Sequence, residues 1–378
     1  MNGGKSLLRP ASAPSRLGGV SQYQGIQALR FVAALLVAVT HSTFYAHERL
    51  NPDLHVWRPG AIGVDMFFII SGFVMMASSQ SILNAPNGWR DFAAKRILRI
   101  VPMYWLATTM KIALILIIPS MVLHAELSPW RIFSSYLFLP STNPEGRFEP
   151  LVGVGWTLLF EMFFYAVFAA ALFLKVRVVK FVGSLLLAFC VIGFFRTSEW
   201  PAATMYFDPV VSYFLVGMLY YHLAQRIPSG VLAGVAGITL SAIFIAVYLF
   251  ELPVRGAANS AAAFGIACSG VLLVIAAEPW LKNRIPRVVL FFGEASYVLY
   301  LFHPFISPAV PEAVKRLAPE LITPVQCVVL SVIAALVGAA IIHVLIERPL
   351  TRALKKSMSP LFVSAMPSVG GTSTAGRR

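Results

Sequence analysis

Charged residues are scarce in this chain. Only 12% of its 378 residues are Asp, Glu, Lys or Arg, whereas soluble domains carry about 25%. Hydrophobic residues make up 58% of the chain, and the mean hydropathy is +0.76. These values exclude a soluble globular enzyme, a disordered chain and a fibrous protein. They indicate a polytopic membrane protein.

Acidic residues are scarcer than basic ones. The chain has 16 Asp and Glu against 30 Lys and Arg, which gives a formal net charge of +14. In a soluble protein this excess would indicate nucleic acid binding. In a membrane protein it follows from the concentration of Lys and Arg in cytoplasmic loops. We therefore expect membrane lipids, and no nucleic acid, around this chain.

Cysteine is also rare, with three residues at Cys190, Cys268 and Cys327. All three lie inside or at the ends of apolar runs, and they are too far apart in sequence for a metal-type spacing. Nothing in this pattern argues for a disulfide. We predict that the cysteines are packing residues and that the chain has no metal site.

The chain lacks the pattern of a cleavable signal peptide. Residues 1–22 are polar and basic, and no small-residue cleavage site follows the first apolar run. We interpret that run as a retained membrane anchor. The composition predicts a flexible cytoplasmic N-terminus over 1–22, a transmembrane domain over 23–350 and a disordered cytoplasmic tail over 351–378.

Long apolar runs dominate the rest of the chain. We predict an all-α membrane protein, a bundle of about ten transmembrane helices. The proline-containing polar stretch 122–152 is predicted to be an external loop. The ten candidate spans are 27–46, 62–82, 100–121, 153–174, 181–196, 208–225, 231–250, 260–277, 288–306 and 325–346.

The distribution of basic residues predicts the orientation. With the N-terminus inside, 21 of the 30 Lys and Arg residues fall inside, 8 fall outside, and Lys111 lies within a span. This asymmetry favours an even number of spans, with both the N- and C-termini cytoplasmic. No internal repeat is evident, which disfavours a transporter built from two similar halves.

Two ionisable residues lie in the first span, Arg30 and His41, eleven positions apart. On a helix they differ by about 20° in direction and by about 16 Å in height, so they share one face. Ionisable groups inside a membrane are costly and indicate function. The alternative interpretation makes Arg30 an interfacial anchor and His41 a polar residue near the outer surface.

Carboxylates occur in the second and fourth spans. Asp65 lies at a depth similar to that of His41, where a carboxylate can orient an imidazole. The alternative is a helix-start residue, because Asp is favoured there. Glu161 follows Trp156 by about one and a half turns, which places this carboxylate inside the membrane.

Two further arginines, Arg96 and Arg99, are three residues apart and therefore adjacent on a helix. They are predicted at the cytoplasmic side, where Arg30 also lies. Three converging guanidinium groups suit a polyanionic ligand such as a nucleotide phosphate. From spacing alone, anchoring by the positive-inside rule is the favoured interpretation.

The last two spans hold the remaining polar candidates. Tyr297 and Tyr300 share a face that His303 extends at its outer end. An aromatic belt and a satisfied interfacial histidine are the alternatives. The last span ends at Glu347-Arg348, which is also the pattern of a local ion pair at a helix end.

Taken in order, these motifs resemble those of the acyltransferase-3 family. They extend over residues 22–350, nearly the whole chain. The motifs are Arg30 with ten residues before His41, the Gly63–Phe73 stretch, Arg96-x-x-Arg99 leading into Pro102, Trp156 with Glu161 and Tyr165, Ser296-Tyr297 through His303, and Glu347-Arg348-Pro349.

The resemblance implies ten transmembrane helices and transfer of an acyl group, usually acetyl, from cytoplasmic acyl-CoA to a sugar hydroxyl. His41 matches the family's essential histidine, and Arg30, Arg96 and Arg99 match positions near the donor. The opening Ile26–Arg30 and the compact length look most like exopolysaccharide-production O-acetyltransferases. That likeness implies a glycan or lipid-linked oligosaccharide acceptor and a multi-pass protein of the bacterial inner membrane.

The chemistry of the residues fits this implied reaction. A sugar hydroxyl is a weak nucleophile, and His41 can remove its proton or accept the acetyl group itself. Tyr297, Tyr300 or a backbone amide can stabilise the oxyanion. The catalytic candidates are His41, Asp65, Glu161, Tyr297 and His303. The candidates for binding acetyl-CoA, the expected donor substrate, are Arg30, Arg96, Arg99 and Arg348; no permanently bound cofactor is expected.

Two alternatives compete with this hypothesis. In the first, the chain is a transporter or flippase for a glycan or acyl compound, and its intramembrane charges mark the substrate path. In the second, the chain is an acyltransferase whose acceptor is a secreted small molecule such as a lipo-oligosaccharide or an antibiotic sugar.

Overall fold

The structure, a computed structural model, describes residues 23–83, 85–118, 126–197, 200–250, 261–317 and 320–358. These residues are almost entirely helical, and an isolated antiparallel bridge joins Thr142 to Phe148. The predicted all-α class is therefore confirmed for this part of the chain. The predicted N-terminus over 1–22 and most of the predicted tail lie outside the described residues.

Fourteen α-helices lie within the described residues. Short 3-10 turns precede α2, α5 and α7, and a π-helical segment, His343–Glu347, joins α13 to α14. The helices are α1 Gln24–Arg49, α2 Ile62–Ser79, α3 Gly88–Ile117, α4 Pro129–Tyr136, α5 Trp156–Phe173, α6 Val178–Gly193, α7 Ser212–Arg226, α8 Ser229–Phe250, α9 Ala261–Leu281, α10 Arg287–Glu294, α11 Ser296–Ile306, α12 Ala309–Leu317, α13 Pro324–Ile342 and α14 Arg348–Ser357.

The predicted count of ten spans is not confirmed. Seven helices in the described residues are long and apolar enough to cross a membrane, and an eighth follows if α10 to α12, bent by 72°, form one broken span. The predicted spans 181–196 and 208–225 correspond to α6 and α7, of 16 and 15 residues. At 1.5 Å per residue, helices of this length fall short of a hydrocarbon core about 30 Å thick.

Two helix boundaries differ from the predicted ones. Helix α3 begins at Gly88, well before the predicted start at 100, so Arg96 and Arg99 lie inside a helix and not at its entrance. Helix α14 shows that residues 351–357 are helical, not disordered. It carries basic side chains in its last turn, which favours a helix C-terminus.

Helices α1 and α2 form the centre of the bundle. Helix α2 packs against α1, α7 and α9, and α1 also contacts α10, α11 and α13. Close approach of α2 and α7 depends on glycine, because a Cβ at Gly72 would overlap the Phe214 backbone and one at Gly217 would overlap that of Ile69. The three cysteines are free and buried, in α6, α9 and α13.

A carboxylate fixes the start of α1. Glu278 of α9 accepts hydrogen bonds from the backbone N–H groups of Gln24, at 2.7 Å, and Gly25, at 2.8 Å. A negative charge at a helix N-terminus is favourable because it satisfies free N–H groups and complements the helix dipole. We call the two ends of the bundle the Gln24 end and the Arg49 end, after the ends of α1.

Candidate functional site

A cavity of about 740 Å³, counting the part open to solvent, lies between α1, α2, α3, α5 and α11. Its apolar wall is largely the stripe of α2 that includes Val64, Phe67, Phe68, Ser71 and Val74. These positions repeat every three or four residues and thus share one helix face. A largely apolar lining with a few polar groups is typical of small-molecule sites.

Two arginines line this cavity toward the Gln24 end. Arg30 of α1 is 9% exposed and donates to Gln27 Oε1 at 3.4 Å. Arg99 of α3 is half-buried, and within the described residues it forms no hydrogen bond or ion pair. Among the residues that the structure describes, Glu161 is the one carboxylate in the cavity lining. Two guanidinium groups against one carboxylate leave excess positive charge, as a polyanionic ligand requires.

Arg96, the third predicted arginine, does not line the cavity. Its guanidinium lies over the rings of Phe92, at 5.5 Å, and Tyr165, at 5.8 Å, and donates to Ser78 Oγ at 2.9 Å. Arg96 and Arg99 differ by about 60° around α3, and of the two only Arg99 lines the cavity. Tyr165 does line the cavity, and Arg96 packs behind it.

Glu161 is held by two hydroxyl groups. Ser71 Oγ of α2 donates to Glu161 Oε1 at 2.8 Å, and the Tyr165 hydroxyl donates to the same oxygen. No hydrogen bond to Oε2 is formed in the part of the chain that the structure describes, so this oxygen is available to a ligand. The structure therefore places the predicted Glu161 in the cavity with an oriented carboxylate.

Hydroxyl groups of α5 and α11 also line the cavity. Tyr297 donates to the backbone carbonyl of Ile100 at 2.8 Å. The hydroxyls of Tyr300 and Thr157 are 2.9 Å apart, and each lies 3.1 Å from the carbonyl oxygen of Val154. Either hydroxyl can satisfy that carbonyl, which leaves the hydrogen of the other for a ligand. In the described residues, no second hydroxyl donates to the Ile100 carbonyl, so the hydrogen of Tyr297 is held by that bond.

A pair of histidines lies just beyond Tyr300. The rings of Tyr300 and His303 have centroids 6.2 Å apart, and His303 Nε2 is 2.9 Å from His41 Nδ1. The two imidazoles are stacked, with centroids 5.0 Å apart. His303 is fully buried, and its Nδ1 is 3.0 Å from the carbonyl oxygen of Leu299. The structure thus joins His41 and His303, which the sequence placed on separate spans.

These contacts set the tautomer of His41. A carbonyl oxygen only accepts hydrogen bonds, so Nδ1 of a neutral His303 carries the hydrogen and its Nε2 is an acceptor. His41 must then donate from Nδ1, which leaves a lone pair on its Nε2. Among the described residues no group is hydrogen-bonded to that nitrogen. An imidazole nitrogen with a free lone pair can act as a base or as a nucleophile.

The cavity ends one side chain short of His41. Tyr300 lines it, whereas His41 and His303 do not. Helix α1 is continuous, so Arg30 and His41 keep the separation of about 16 Å expected from their spacing.

Asp65 does not orient His41, contrary to the prediction. Its carboxyl lies beside the Tyr213 hydroxyl of α7, and no hydrogen bond or ion pair joins it to His41 in the described residues. Asp65 shares a heptad stripe with Ile69 and Gly72, which pack against α7. The helix direction of α2 therefore turns Asp65 away from α1, and His303 takes the orienting position.

Arg348 lies outside the cavity lining. It pairs with Glu294 at 2.7 Å and stacks over Phe291 at 5.5 Å. Glu347 pairs with His343 in the π-helical segment, so the predicted local pair between Glu347 and Arg348 is not formed. The described residues contain no group of three or more His, Cys, Asp or Glu placed to hold a metal ion.

Sequence reasoning gave no roles to Ser71 and Thr157, although both contact predicted site residues. Serine and threonine in apolar helices have a common packing use, and nothing in their spacing distinguishes a hydroxyl that binds Glu161 or Tyr300. The spacing of Tyr300 and His303, one turn apart, did indicate their common face.

Comparison with known proteins identifies the family. The sequence profile described as Acyltransferase domain matches residues 23–344 of this chain. The chain belongs to the acyltransferase-3 family. The match includes every candidate site residue except Arg348, and it identifies this multi-pass membrane protein as an acyltransferase.

Two relatives extend the comparison. This acyltransferase is 33% identical over 320 residues to the exopolysaccharide production protein ExoZ of Rhizobium meliloti (strain 1021), a match that covers 82% of this chain and 94% of that protein. It is 30% identical over 140 residues to the putative acetyltransferase ORF330 of Acidianus two-tailed virus, covering 37% of this chain and 38% of that protein. No solved structure matches the chain.

Proposed function

We propose that this enzyme transfers an acetyl group from cytoplasmic acetyl-CoA to a sugar hydroxyl of an exopolysaccharide or its lipid-linked repeat unit. The bacterial inner membrane is the proposed location, with both termini cytoplasmic and the Gln24 end of the bundle on the cytoplasmic side. The observation that carries the proposal is a cavity that is lined by Arg30 and Arg99 and reaches Tyr300, beside which lies an imidazole with a free Nε2. The likeness to a protein named for exopolysaccharide production supports the choice of acceptor.

The donor fits the charge pattern of the cavity. Coenzyme A carries several phosphates, which suit Arg30 and Arg99 at the Gln24 end. Its pantetheine arm is thin and weakly polar, and the α2 wall of the cavity is apolar. The distance of about 16 Å from Arg30 to His41 would be spanned by that arm, which brings the thioester to the imidazole.

The reaction needs a base at His41 Nε2. The sugar oxygen attacks the thioester carbonyl while Nε2 removes the hydroxyl proton, and the resulting tetrahedral intermediate collapses. The carbon–sulfur bond breaks, the sulfur leaves with the proton held by His41, and the products are a sugar acetate and free coenzyme A. In the second route, Nε2 attacks the thioester first, the carbon–sulfur bond breaks, and coenzyme A leaves as its thiolate. The sugar oxygen then attacks the acetyl group on Nε2, the nitrogen–acetyl bond breaks, and the hydroxyl proton is transferred to the thiolate, so the products are the same.

Tyr300 and Thr157 are the proposed oxyanion donors. They lie at the cavity end nearest to His303, and one of their two hydrogens is free to turn toward the thioester oxygen. Donors aimed at the position of developing negative charge contribute strongly in a site that excludes water. Tyr297, predicted for the same role, is better placed as a support because its hydrogen is held by Ile100.

The proposed function is tested by the chemistry of the surface polysaccharide. A strain lacking the gene should lose the O-acetyl proton signals from the NMR spectrum of its polysaccharide, and the wild-type gene should restore them. Purified enzyme should form free coenzyme A and acetylated glycan together. Unchanged acetylation in the deletion strain, or glycan movement without any need for acetyl-CoA, would reject the proposal in favour of another acyl acceptor or of transport.

The donor site predicts a specific kinetic change. Arg99→Gln should raise the KM for acetyl-CoA by about tenfold to a hundredfold, because a charged hydrogen bond contributes about 1.5–3 kcal/mol. The matched control is Arg90→Gln, since Arg90 is exposed at the same end of the same helix and stacks on Trp89. Equal KM values for acetyl-CoA in the two variants would remove Arg99 from the donor site.

A further inference from the structure

The surface of helix α4 and of the turn that follows it is apolar. Over residues 129–139 the exposed side chains are Pro129, Trp130, Phe133, Leu137 and Leu139. The buried side chains of the helix are Arg131, Ser134 and Ser135, which are polar. A helix at a water surface has the opposite arrangement, with its polar face outward. This part of the surface is therefore not suited to contact with water.

Three of the exposed residues form one stripe along α4. Trp130, Phe133 and Leu137 are spaced by three and four residues, so they share one face of the helix. They are 50–56% exposed, and the ring centroids of Trp130 and Phe133 are 5.9 Å apart. We call these three residues the α4 stripe. An exposed apolar patch of this kind marks a surface that meets another apolar phase.

Hydrogen bonds fix α4 against the side of α3, a candidate membrane span. Trp105 Nε1 donates to the carbonyl oxygen of Tyr136 at 2.8 Å, and the hydroxyls of Thr109 and Tyr136 are 2.6 Å apart. Beyond Thr109, α3 continues for eight residues, or about 12 Å, in which Lys111 is the one charged residue. Helix α4 therefore lies beside the apolar span and not beyond its end.

Exposed apolar residues of α3 continue the α4 stripe. Trp105 and Leu106 are both exposed on this span, and the ring of Trp105 lies 6.2 Å from that of Tyr136 at the end of α4. Tryptophan and tyrosine are enriched at the boundary between hydrocarbon and water, because their rings are amphipathic. The surface of a membrane span therefore extends without interruption onto α4.

The buried face of α4 braces the candidate active site. Ser135 Oγ accepts a hydrogen bond from the backbone N–H of Leu151 at 3.0 Å. Three residues later lies Val154, whose carbonyl oxygen is 3.1 Å from the hydroxyls of both Tyr300 and Thr157. Helix α4 is thus a fixed part of the bundle, and the direction of its stripe is defined.

The polar groups of α4 meet the requirements of a membrane environment. The helix satisfies its own backbone, and Ser128 Oγ caps its start by accepting the N–H of Arg131 at 3.3 Å. The guanidinium of Arg131 is directed into the protein, where Nη1 donates to the carbonyl oxygen of Glu126 at 2.7 Å. Charged residues at membrane depth face the protein interior in this way.

We propose that α4 is inserted into the membrane leaflet at the Arg49 end, with the α4 stripe covered by lipid acyl chains. The predicted external loop 122–152 then contains a membrane-embedded helix, and the exposed turn at residues 144–147 is the part in water. Lipid is the occupant because the stripe continues the surface of a membrane span and has no polar rim between them. This placement is independent of the acetyl transfer reaction.

Spin labels on the full-length protein in phosphatidylcholine nanodiscs test the placement. The native cysteines, all buried, are replaced by alanine, and labels are attached in turn to Phe133→Cys and Leu137→Cys. Glu145→Cys, in the exposed turn, is the control for water, and Ile238→Cys, 73% exposed on the candidate span α8, is the control for lipid. Collisions with oxygen, which partitions into hydrocarbon, and with a water-soluble nickel chelate give the depth of each label.

The labels at 133 and 137 should lie about 5–10 Å below the headgroups, as the apolar face of an interfacial helix does. Oxygen collisions should dominate there and at position 238, and nickel collisions should dominate at 145. Labels at 133 and 137 that resemble the label at 145 would place α4 in water and overturn the proposal. Few collisions with either reagent would assign the stripe to a protein partner, which also overturns it.

Phe133→Asp gives a second measurement that needs no label. Phe133 is 53% exposed, so its replacement removes little packing and would be tolerated in water. A carboxylate on a lipid-facing surface is costly, so the unfolding temperature in nanodiscs should fall by about 2 °C or more. The matched control, Phe133→Leu, should stay near the wild type. Equal unfolding temperatures of the two variants would contradict contact with acyl chains.

Discussion

Replacing His41 with alanine should lower the turnover of acetyl transfer by about a thousandfold or more, since positioned acid–base groups contribute about 10²–10⁴. In the proposed mechanism, the free Nε2 of His41 removes the hydroxyl proton or carries the acetyl group, and alanine leaves nothing in its place. Transfer of label from radioactive acetyl-CoA to the glycan, measured with purified protein, gives the rate. Binding of coenzyme A should be unchanged, because Arg30 lies about 16 Å away along α1 and His41 does not line the cavity that Arg30 and Arg99 share.

His47→Gln is the matched control for the loss of a histidine from α1. His47 Nδ1 lies 2.9 Å from the carbonyl oxygen of Leu54, away from the cavity, and a glutamine amide can make a similar bond. This variant should retain wild-type turnover. If His41→Ala kept more than about a tenth of wild-type activity, both catalytic routes through its Nε2 would be excluded.

Release of coenzyme A in the absence of acceptor separates the two routes, with His41→Ala as the control. An acetyl-histidine intermediate predicts that wild-type enzyme, given acetyl-CoA without acceptor, releases one equivalent of coenzyme A and retains the acetyl label. Direct transfer predicts no release under these conditions. In His41→Ala any such burst should disappear.

The sequence was most informative within single helices. The spacing of Arg30 and His41 defines a common face whatever the rest of the fold does, because a continuous α1 fixes their angle and rise. The same argument applies to Tyr300 and His303 on α11. Strong hydropathy likewise identified the long helices, although it counted α6 and α7 as spans that their lengths do not support.

Relations between helices were not predictable in this way. Whether Asp65 or His303 reaches His41 depends on how α2 and α11 are rotated about their own axes, and this rotation is set by packing against neighbours. Gly72 and Gly217 bring α2 against α7, and that contact directs Asp65 to Tyr213. Periodicity measures the angle between residues of one helix and carries no information on which neighbour each face meets.

His303 should be a positioning residue whose loss reduces turnover by about a hundredfold to a thousandfold. It accepts the hydrogen of His41 Nδ1 at 2.9 Å and so directs the Nε2 lone pair. In serine proteases, loss of the correct imidazole tautomer costs about 10⁴ in kcat, which sets the upper limit for this effect. His303→Phe fills the buried site and removes the acceptor, whereas His303→Gln places an amide oxygen where Nε2 lies and should keep about a tenth or more of the activity.

A purely structural role for His303 predicts a different pattern of kinetic constants. Orientation of His41 acts on the chemical step, so His303→Phe should lower kcat while the KM for acetyl-CoA stays within about threefold of the wild type. If His303 only filled space, phenylalanine would serve better than glutamine, because it is apolar and the site is fully buried. The order of the two variants therefore decides the question: higher kcat in His303→Gln requires the hydrogen bond between the two imidazoles, and higher kcat in His303→Phe contradicts it.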